Sequence, residues 1–234
     1  MEIKKIAIAL DGPAGSGKST IAKLVAQRLN YTYIDTGAMY RAITLKALQQ
    51  GINLDQPEQL TQLAEATSLS LQYQRAADGM VLRVLMDGRE VSEAIRSLEV
   101  TNHVSEVAAV AGVRSCLVKL QQQLAREGGV VMDGRDIGTK VLPNAELKIF
   151  LTASVAERGR RRWLELQAKG VRVELEDLIK QIERRDFIDS NRETDPLRQA
   201  ADAILLDTTD LSITEVVQRV IDLAVAKGAV DNGD

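Results

Sequence analysis

The chain opens on a short unbroken apolar run, Ile6–Leu10, closed by Asp11-Gly12-Pro13. A run with no alternating polar position predicts a strand buried on both faces. Ile21, Leu24, Val25 and Leu29 then fall at helical spacing and predict a helix over Lys18–Leu29. Tyr31–Ile34 predicts a second strand ending at Asp35-Thr36-Gly37, and Ala38–Gln50 a second helix closed by Gly51. This strand–helix–strand opening argues for a parallel sheet. The pattern then shortens. Leu69–Gln74, Met80–Met86 and Glu90–Val91 are strand-like pieces separated by Ala76-Ala77-Asp78-Gly79 and by Asp87-Gly88. Asp-Gly before a β-branched continuation is a hairpin signal, so a small antiparallel sheet is expected here. Helices are expected at Glu93–Leu98, Val113–Glu127, Val155–Lys169, Leu175–Phe187 and Ile213–Lys227, with strands at Val130–Met132, Leu147–Leu151 and Ala203–Leu206. Residues from Gly228 onward are expected to fray.

These elements predict one α/β domain with a parallel sheet flanked by helices and an antiparallel insertion. At 234 residues the chain is long enough for a substantial core. A net charge of −3 gives no general attraction to nucleic acid, and aromatics for base stacking are scarce. With Cys116 as the only cysteine, an internal disulfide and a cysteine-built zinc site are excluded. Ile6–Leu10 is too short for a membrane span or signal core, so a cytoplasmic protein with no membrane partner is expected.

The chemistry concentrates at strand ends. Gly12, Pro13, Ala14, Gly15, Ser16, Gly17, Lys18 and Ser19 match G-x-x-x-x-G-K-[ST] in full, between a predicted strand and a predicted helix. Glycines let backbone N–H groups converge on phosphates, and the helix start adds its positive dipole end. Lys18 supplies charge to the phosphates being separated, and the Ser19 hydroxyl can ligate Mg²⁺. Thr20 completes the expected ATP-binding stretch. Asp35–Arg41 (DTGAMYR) lies at the end of the second strand, where open α/β sheets place ligands. There Arg41 can meet a second phosphate, with Thr36 and Tyr40 offering hydroxyls; a helix-capping Asp35 and a solvated Arg41 explain the segment equally well. Asp133-Gly134-Arg135-Asp136 follows the strand Val130–Met132, and a turn accounts for Asp133-Gly134 but not for Arg135 and Asp136. Arg158, Arg161 and Arg162 share one helical face, as do Arg185, Asp189 and Arg192 if the second helix reaches that far. Arg160, Arg161 and Arg162 repel one another, so the cluster is expected to face a polyanion such as ATP. A phosphate acceptor is already an anionic nucleophile and needs no strong base. His103 and Cys116 are accordingly expected to be ordinary surface or packing residues.

GPAGSGKST (Gly12–Thr20), DTGAMYR (Asp35–Arg41), DGRDIGT (Asp133–Thr139), KIFLTAS (Lys148–Ser154) and RDFIDSNR (Arg185–Arg192) together resemble the bacterial cytidylate kinases over nearly the whole chain. The resemblance implies transfer of the γ-phosphoryl group of ATP-Mg²⁺ to CMP or dCMP. It also implies a core with a monophosphate-binding insertion at about 36–104 and a lid at about 155–190. Transferred residue by residue, it assigns Thr36, Tyr40, Arg41, Ser105, Arg114, Arg135, Asp136, Arg185, Asp189 and Arg192 to CMP. Tyr40, Arg41, Arg135 and Arg185 would hold the acceptor phosphate and Asp189 the sugar. Ser105, Arg114, Asp136 and Arg192 would read the base. Lys18, Arg135, Arg158, Arg161 and Arg162 are the expected catalytic residues, with Arg158, Arg161 and Arg162 on or beside the lid. Gly159 interrupts that helix at about 1 kcal/mol relative to alanine, so a floppy lid is expected. A monomer is the default. A kinase of another small acceptor and an ATP-dependent switch are the rival readings, although no guanine-reading N-K-x-D element is present.

Overall fold

The computed structural model describes residues 5–76 and 79–233. They form two compact units, one built from the chain up to Tyr33 and from Ala125 onward, the other from Ile34–Leu124.

A five-stranded sheet has the order β2-β6-β1-β7-β8; the first unit holds β1 (Ala7–Asp11), β6 (Val130–Gly134), β7 (Leu147–Thr152), β8 (Ile204–Asp207) and the first two residues of β2 (Thr32–Asp35). β1 pairs in parallel with β6 and β7, and β7 with β8. Thr32 donates its N–H to the Gly129 carbonyl at 2.8 Å where β2 enters. Ile8, Ala9, Leu10, Val131 and Met132 are fully buried, which is why β1 and β6 read as continuous apolar runs. Helix α1 covers Lys18–Leu29 and α8 covers Ile213–Ala226. A reciprocal cap opens α8, with the Ser212 hydroxyl on the Glu215 amide and the Glu215 carboxylate on the Ser212 amide. The segment after Gly228, expected to fray, is tied down instead. Ala229 is buried, Arg28 grips Asp231 with two nitrogens at 3.0 and 2.8 Å, and Asn232 donates to the Leu29 carbonyl at 2.9 Å.

Two charged helices complete this unit, α6 (Val155–Ala168) and α7 (Leu175–Asn191). Gly159 lies buried on α6 facing α7. A Cβ added there would sit 2.6 Å from Cγ1 of Ile179. The glycine is thus what lets the two helices approach. Its helix-propensity cost of about 1 kcal/mol is outweighed by the roughly 1–3 kcal/mol that overpacking would cost.

The second unit contains α2 (Thr36–Gln49), α3 (Pro57–Glu65), β3 (Leu69–Ala76), β4 (Gly79–Met86), β5 (Arg89–Glu90), α4 (Leu98–Ala109) and α5 (Ala111–Leu124). It includes the expected insertion of about 36–104 and also α5. Strands β3, β4 and β5 make the antiparallel sheet foreseen from the hairpin signals. Asp87 and Gly88 both take positive φ, 51° and 78°, the backbone a tight primed hairpin requires. Ala77 and Asp78 of the other expected turn lie outside the described residues. Helix α2 has a core on each side. Met39 and Ile43 pack with Leu60, Val107 and Leu117, while Ala38, Ala42 and Leu45 pack with Val84, Met86 and Ile95.

Helix α3 was not expected; it is short, and only Leu60, Leu63 and Ala64 mark its buried face. The helix expected over Glu93–Leu98 is a single tight turn, Ala94–Arg96. It stops at Ser97, whose hydroxyl accepts from the Val100 amide at 3.3 Å and starts α4.

Candidate active site

The loop after β1 is shaped by close backbone approach. At Gly12 (φ 147°) a Cβ would lie 2.0 Å from the Leu151 carbonyl oxygen on β7, so no side chain fits. Gly17, in the left-handed region at φ 88°, precedes α1 and has no side chain to cap its first amides. Those amides and the dipole end of α1 are the anion-binding parts of such a loop. Lys18 is folded into it, donating from Nζ to the Pro13 carbonyl at 2.6 Å and to Ser16 Oγ at 3.0 Å. Burial, and next the Arg135 charge, push the Lys18 ammonium well below its ordinary pKa, with Asp133, Asp11 and Asp186 pulling the other way.

A buried carboxylate stands beside the loop. Ser19 Oγ donates to Asp133 Oδ2 at 2.8 Å, and the Tyr33 hydroxyl donates to Asp133 Oδ1 at 2.9 Å. Sequence reading singled out this segment for Arg135 and Asp136 and left Asp133 to a turn. The sequence places Asp133 at a strand end but does not show that β6 pairs with β1 and so brings it to Ser19. Asp11, at the end of β1, accepts from the amides of Ile137 and Gly138 at 2.8 and 2.7 Å and so fixes the turn carrying Arg135 and Asp136. Burial raises the Asp11 carboxyl to about 6, against those two amides, which lower it; the nearby Asp136 charge adds to the rise.

Arg135, Arg185 and Asp189 form a cluster in the same unit. Arg135 Nε donates to Asp189 Oδ2 at 2.8 Å. Burial works against the Asp189 carboxylate, but Arg135 and Arg185 hold it below the usual range. Arg185 is half-buried overall, yet its Nε is shut off from solvent and has no hydrogen-bond partner among the described residues. Burial, then the Arg135 charge, lower Arg185 to about 10. Arg185 thus presents a shielded guanidinium N–H beside a second arginine. Helix α7 extends past Phe187 to Asn191, so Arg185 and Asp189 do share its face. Arg192 caps its end, donating to the Asp195 carbonyl and, at 3.3 Å, to Asp136 Oδ1.

On α6, Arg158 is buried, Arg161 and Arg162 are half-buried and Arg160 is exposed. Arg160 and Arg161 pair with Glu157, and Arg162 with Glu165. The like-charge repulsion expected among them is therefore answered on their own helix. Arg161 also donates to the Thr208 hydroxyl at 3.0 Å and to its carbonyl. Arg158, on the same helix, is buried, with its guanidinium on the Ala14 and Ala153 carbonyls and on Asp186.

In the second unit Asp35 caps α2, its Oδ1 accepting from the Ala38 amide at 2.9 Å. Arg41 is only part-exposed and donates to Thr101 Oγ1 at 2.8 Å and the Ile95 carbonyl at 3.3 Å. Arg114 is 1% exposed, lies 5.6 Å over the Tyr40 ring, and donates to the Ala108 carbonyl at 3.3 Å. Thr36 and Ser105 are buried. Half-buried His103 bonds Glu106 at 2.9 Å, and the half-buried Cys116 packs against the core around Met39.

A phosphate loop on the first strand of a parallel sheet, a hydroxyl–carboxylate pair beside it and an arginine cluster in the same unit place the chain in the P-loop α/β class. A family model described as cytidylate kinase matches residues 8–226. The chain belongs to the cytidylate kinase family. It is 59% identical over 216 residues to the bifunctional pantoate ligase/cytidylate kinase of Synechococcus sp. (strain JA-3-3Ab), covering 92% of this chain and 40% of that protein. It is 55% identical over 224 residues to the cytidylate kinase of Enterococcus faecalis (strain ATCC 700802 / V583), covering 96% and 97%. The chain thus spans well under half of the bifunctional relative and nearly all of the shorter one. Among solved structures, an uncharacterized protein from Eubacterium ventriosum ATCC 27560 shares the fold with a TM-score of 0.52 at 12% identity, covering 95% of this chain and 99% of that one. No helix among the described residues is long and apolar enough to cross a membrane.

Proposed function

We propose that this chain transfers the γ-phosphoryl group of ATP to the phosphate of CMP or dCMP, giving ADP and CDP or dCDP. An acceptor phosphate oxygen forms the new bond to Pγ as the bond from Pγ to the β,γ-bridging oxygen breaks. The observation that carries the reading is the shielded, unpartnered Nε of Arg185 beside Arg135, in the unit that also bears the phosphate loop. Family membership supports it independently.

The loop residues Gly12–Thr20 are proposed to bind the ATP phosphates, and Lys18 to follow the charge that moves onto the β,γ-bridging oxygen. Arg135 and Arg185 hold the acceptor phosphate and neutralise it against the incoming phosphoryl group, and Asp189 accepts from the sugar hydroxyl. Nothing in this chemistry calls for a general base; positioning and charge supply the rate. Ser19 and Asp133 suit a hard divalent cation: both offer oxygen, they lie 2.8 Å apart, and the Tyr33 hydroxyl orients the carboxylate. Mg²⁺ held there with ATP would neutralise β- and γ-phosphate oxygens. Helices α6 and α7, within the stretch of about 155–190, are proposed to face the donor, with Arg161 and Arg162 able to exchange their glutamate partners for phosphate.

Each of the CMP-assigned residues has suitable chemistry. Thr36, Tyr40 and Arg41 offer hydroxyls and a guanidinium for phosphate and sugar, and Ser105 and Arg114 offer donors to cytosine O2 and N3. Asp136, oriented by Arg192, can accept from the cytosine N4 amine. Uracil would set its O4 against that carboxylate, a mismatch worth several kcal/mol, and so at least about 10²-fold, at buried polar partners. An acceptor panel with ADP detection checks this. CMP and dCMP are expected to be good acceptors and UMP a poor one, and Asp136→Asn to narrow the CMP-over-UMP ratio in kcat/KM. Equal kcat/KM for CMP and UMP would contradict the specificity, and an unchanged ratio in the variant would remove Asp136 from base reading.

A further inference from the structure

The middle of the phosphate loop is held from both sides of one residue. The Ala14 amide donates to Asp186 Oδ1 at 2.9 Å, and the Ala14 carbonyl accepts from Arg158 Nη1 at 2.8 Å. Arg158 Nη1 also donates to Asp186 Oδ2, closing a ring through the two side chains and the Ala14 backbone. Arg158 Nε is anchored separately on the Ala153 carbonyl at 3.0 Å, next to the Ser154 cap that starts α6. Both side chains are largely buried, Arg158 at 5% and Asp186 at 19% exposure. At the next loop residue a Cβ on Gly15 would lie 3.3 Å from Arg158 Cβ and 3.6 Å from Ile182 Cδ1, so α6 and α7 back the loop directly.

We propose that Asp186 and Arg158 form a clamp on Ala14 that sets the geometry of the phosphate loop, making Asp186 a positioning residue for phosphoryl transfer. Holding α6 against α7 needs no such pair, because apolar packing at Gly159 and Ile179 already does so, and buried ion pairs seldom add net stability. What the pair adds is direction. A carboxylate and a guanidinium reading the N–H and C=O of one residue fix both flanking peptide planes, as packing cannot. With the Ala14 amide committed to Asp186, phosphate falls to the amides from Gly15 onward and to Lys18. Arg158 also answers the negative charge that Asp186 would otherwise present to a triphosphate. Arg158 thus acts through the loop.

The inference rests on the proposed reaction, in which the loop holds the ATP being cleaved. Misplacing a reacting group by about 1 Å costs about 10²-fold, so Asp186→Ala is expected to lower kcat by roughly that factor while the KM for CMP does not rise. Asp186→Asn keeps an acceptor for the Ala14 amide and is expected to lose less than about tenfold. Adding Arg158→Ala to Asp186→Ala is expected to cost little more than the larger single change, because the two residues act as one unit. Folding of each variant is checked by circular dichroism, and if Asp186→Ala does not fold, Asp186→Asn with Arg158→Lys carries the same cycle. A wild-type kcat in Asp186→Ala, a matching rise in the KM for CMP, or multiplicative losses in the double variant would overturn the clamp. A wild-type protein that makes no CDP would instead overturn the reaction itself.

Discussion

Lys18→Met is expected to lower kcat by about 10³-fold or more, the scale of removing a preorganised charge aimed at a transferring phosphoryl group. Methionine matches the length of the lysine stem, so the loop keeps its packing and loses only the ammonium. Stability should move the other way. Burial and Arg135 already disfavour the charged amine, and its bonds to Pro13 and Ser16 only partly offset that cost. The melting temperature of Lys18→Met should therefore equal or exceed that of the parent. Steady-state kinetics beside a thermal melt separates the two effects. A loss under tenfold would remove Lys18 from the chemical step, and a large fall in melting temperature would show that it holds the loop together.

Arg185→Met carries the second large effect. Truncating one member of a buried charge cluster typically costs about 2–5 kcal/mol in binding, so the KM for CMP should rise at least about 30-fold. The KM for ATP should change far less, because Arg185 lies among Arg135, Asp189 and Asp186, and its Nε has no partner among the described residues. Arg185→Lys should rescue poorly, since an ammonium cannot reproduce a planar fork on phosphate. Acceptor titrations at saturating ATP read both variants. A KM for CMP within threefold of the parent in Arg185→Met would contradict the assignment.

Much of the donor site was legible in the sequence because its parts are local. A buried strand, a glycine-rich turn and a helix start follow one another from Ile6 to Leu29, and α1 begins and ends where the spacing placed it. The hairpin was legible for the same reason, since Asp87-Gly88 carries its own backbone requirement. Asp133 and Asp186 were not legible. Their meaning depends on partners far along the chain, Ser19 for one and Ala14 for the other. The packing role of Gly159 was not legible, because helix propensity is a property of one helix, whereas its fit is set by Ile179 on the next. The repulsion among Arg160, Arg161 and Arg162 is answered by Glu157 and Glu165, which lie three or four residues away on the same helix.

Phosphorus-31 NMR of the protein with ATP, magnesium and CMP tests most directly whether main-chain amides at the first strand and arginines of the same unit serve one transfer. The account predicts that the β- and γ-phosphate signals of ATP give way to those of ADP and CDP together, in equal amounts, and only when CMP is present. ATP that binds yet stays intact beside CMP, or that yields ADP and free phosphate with no CDP, would contradict it.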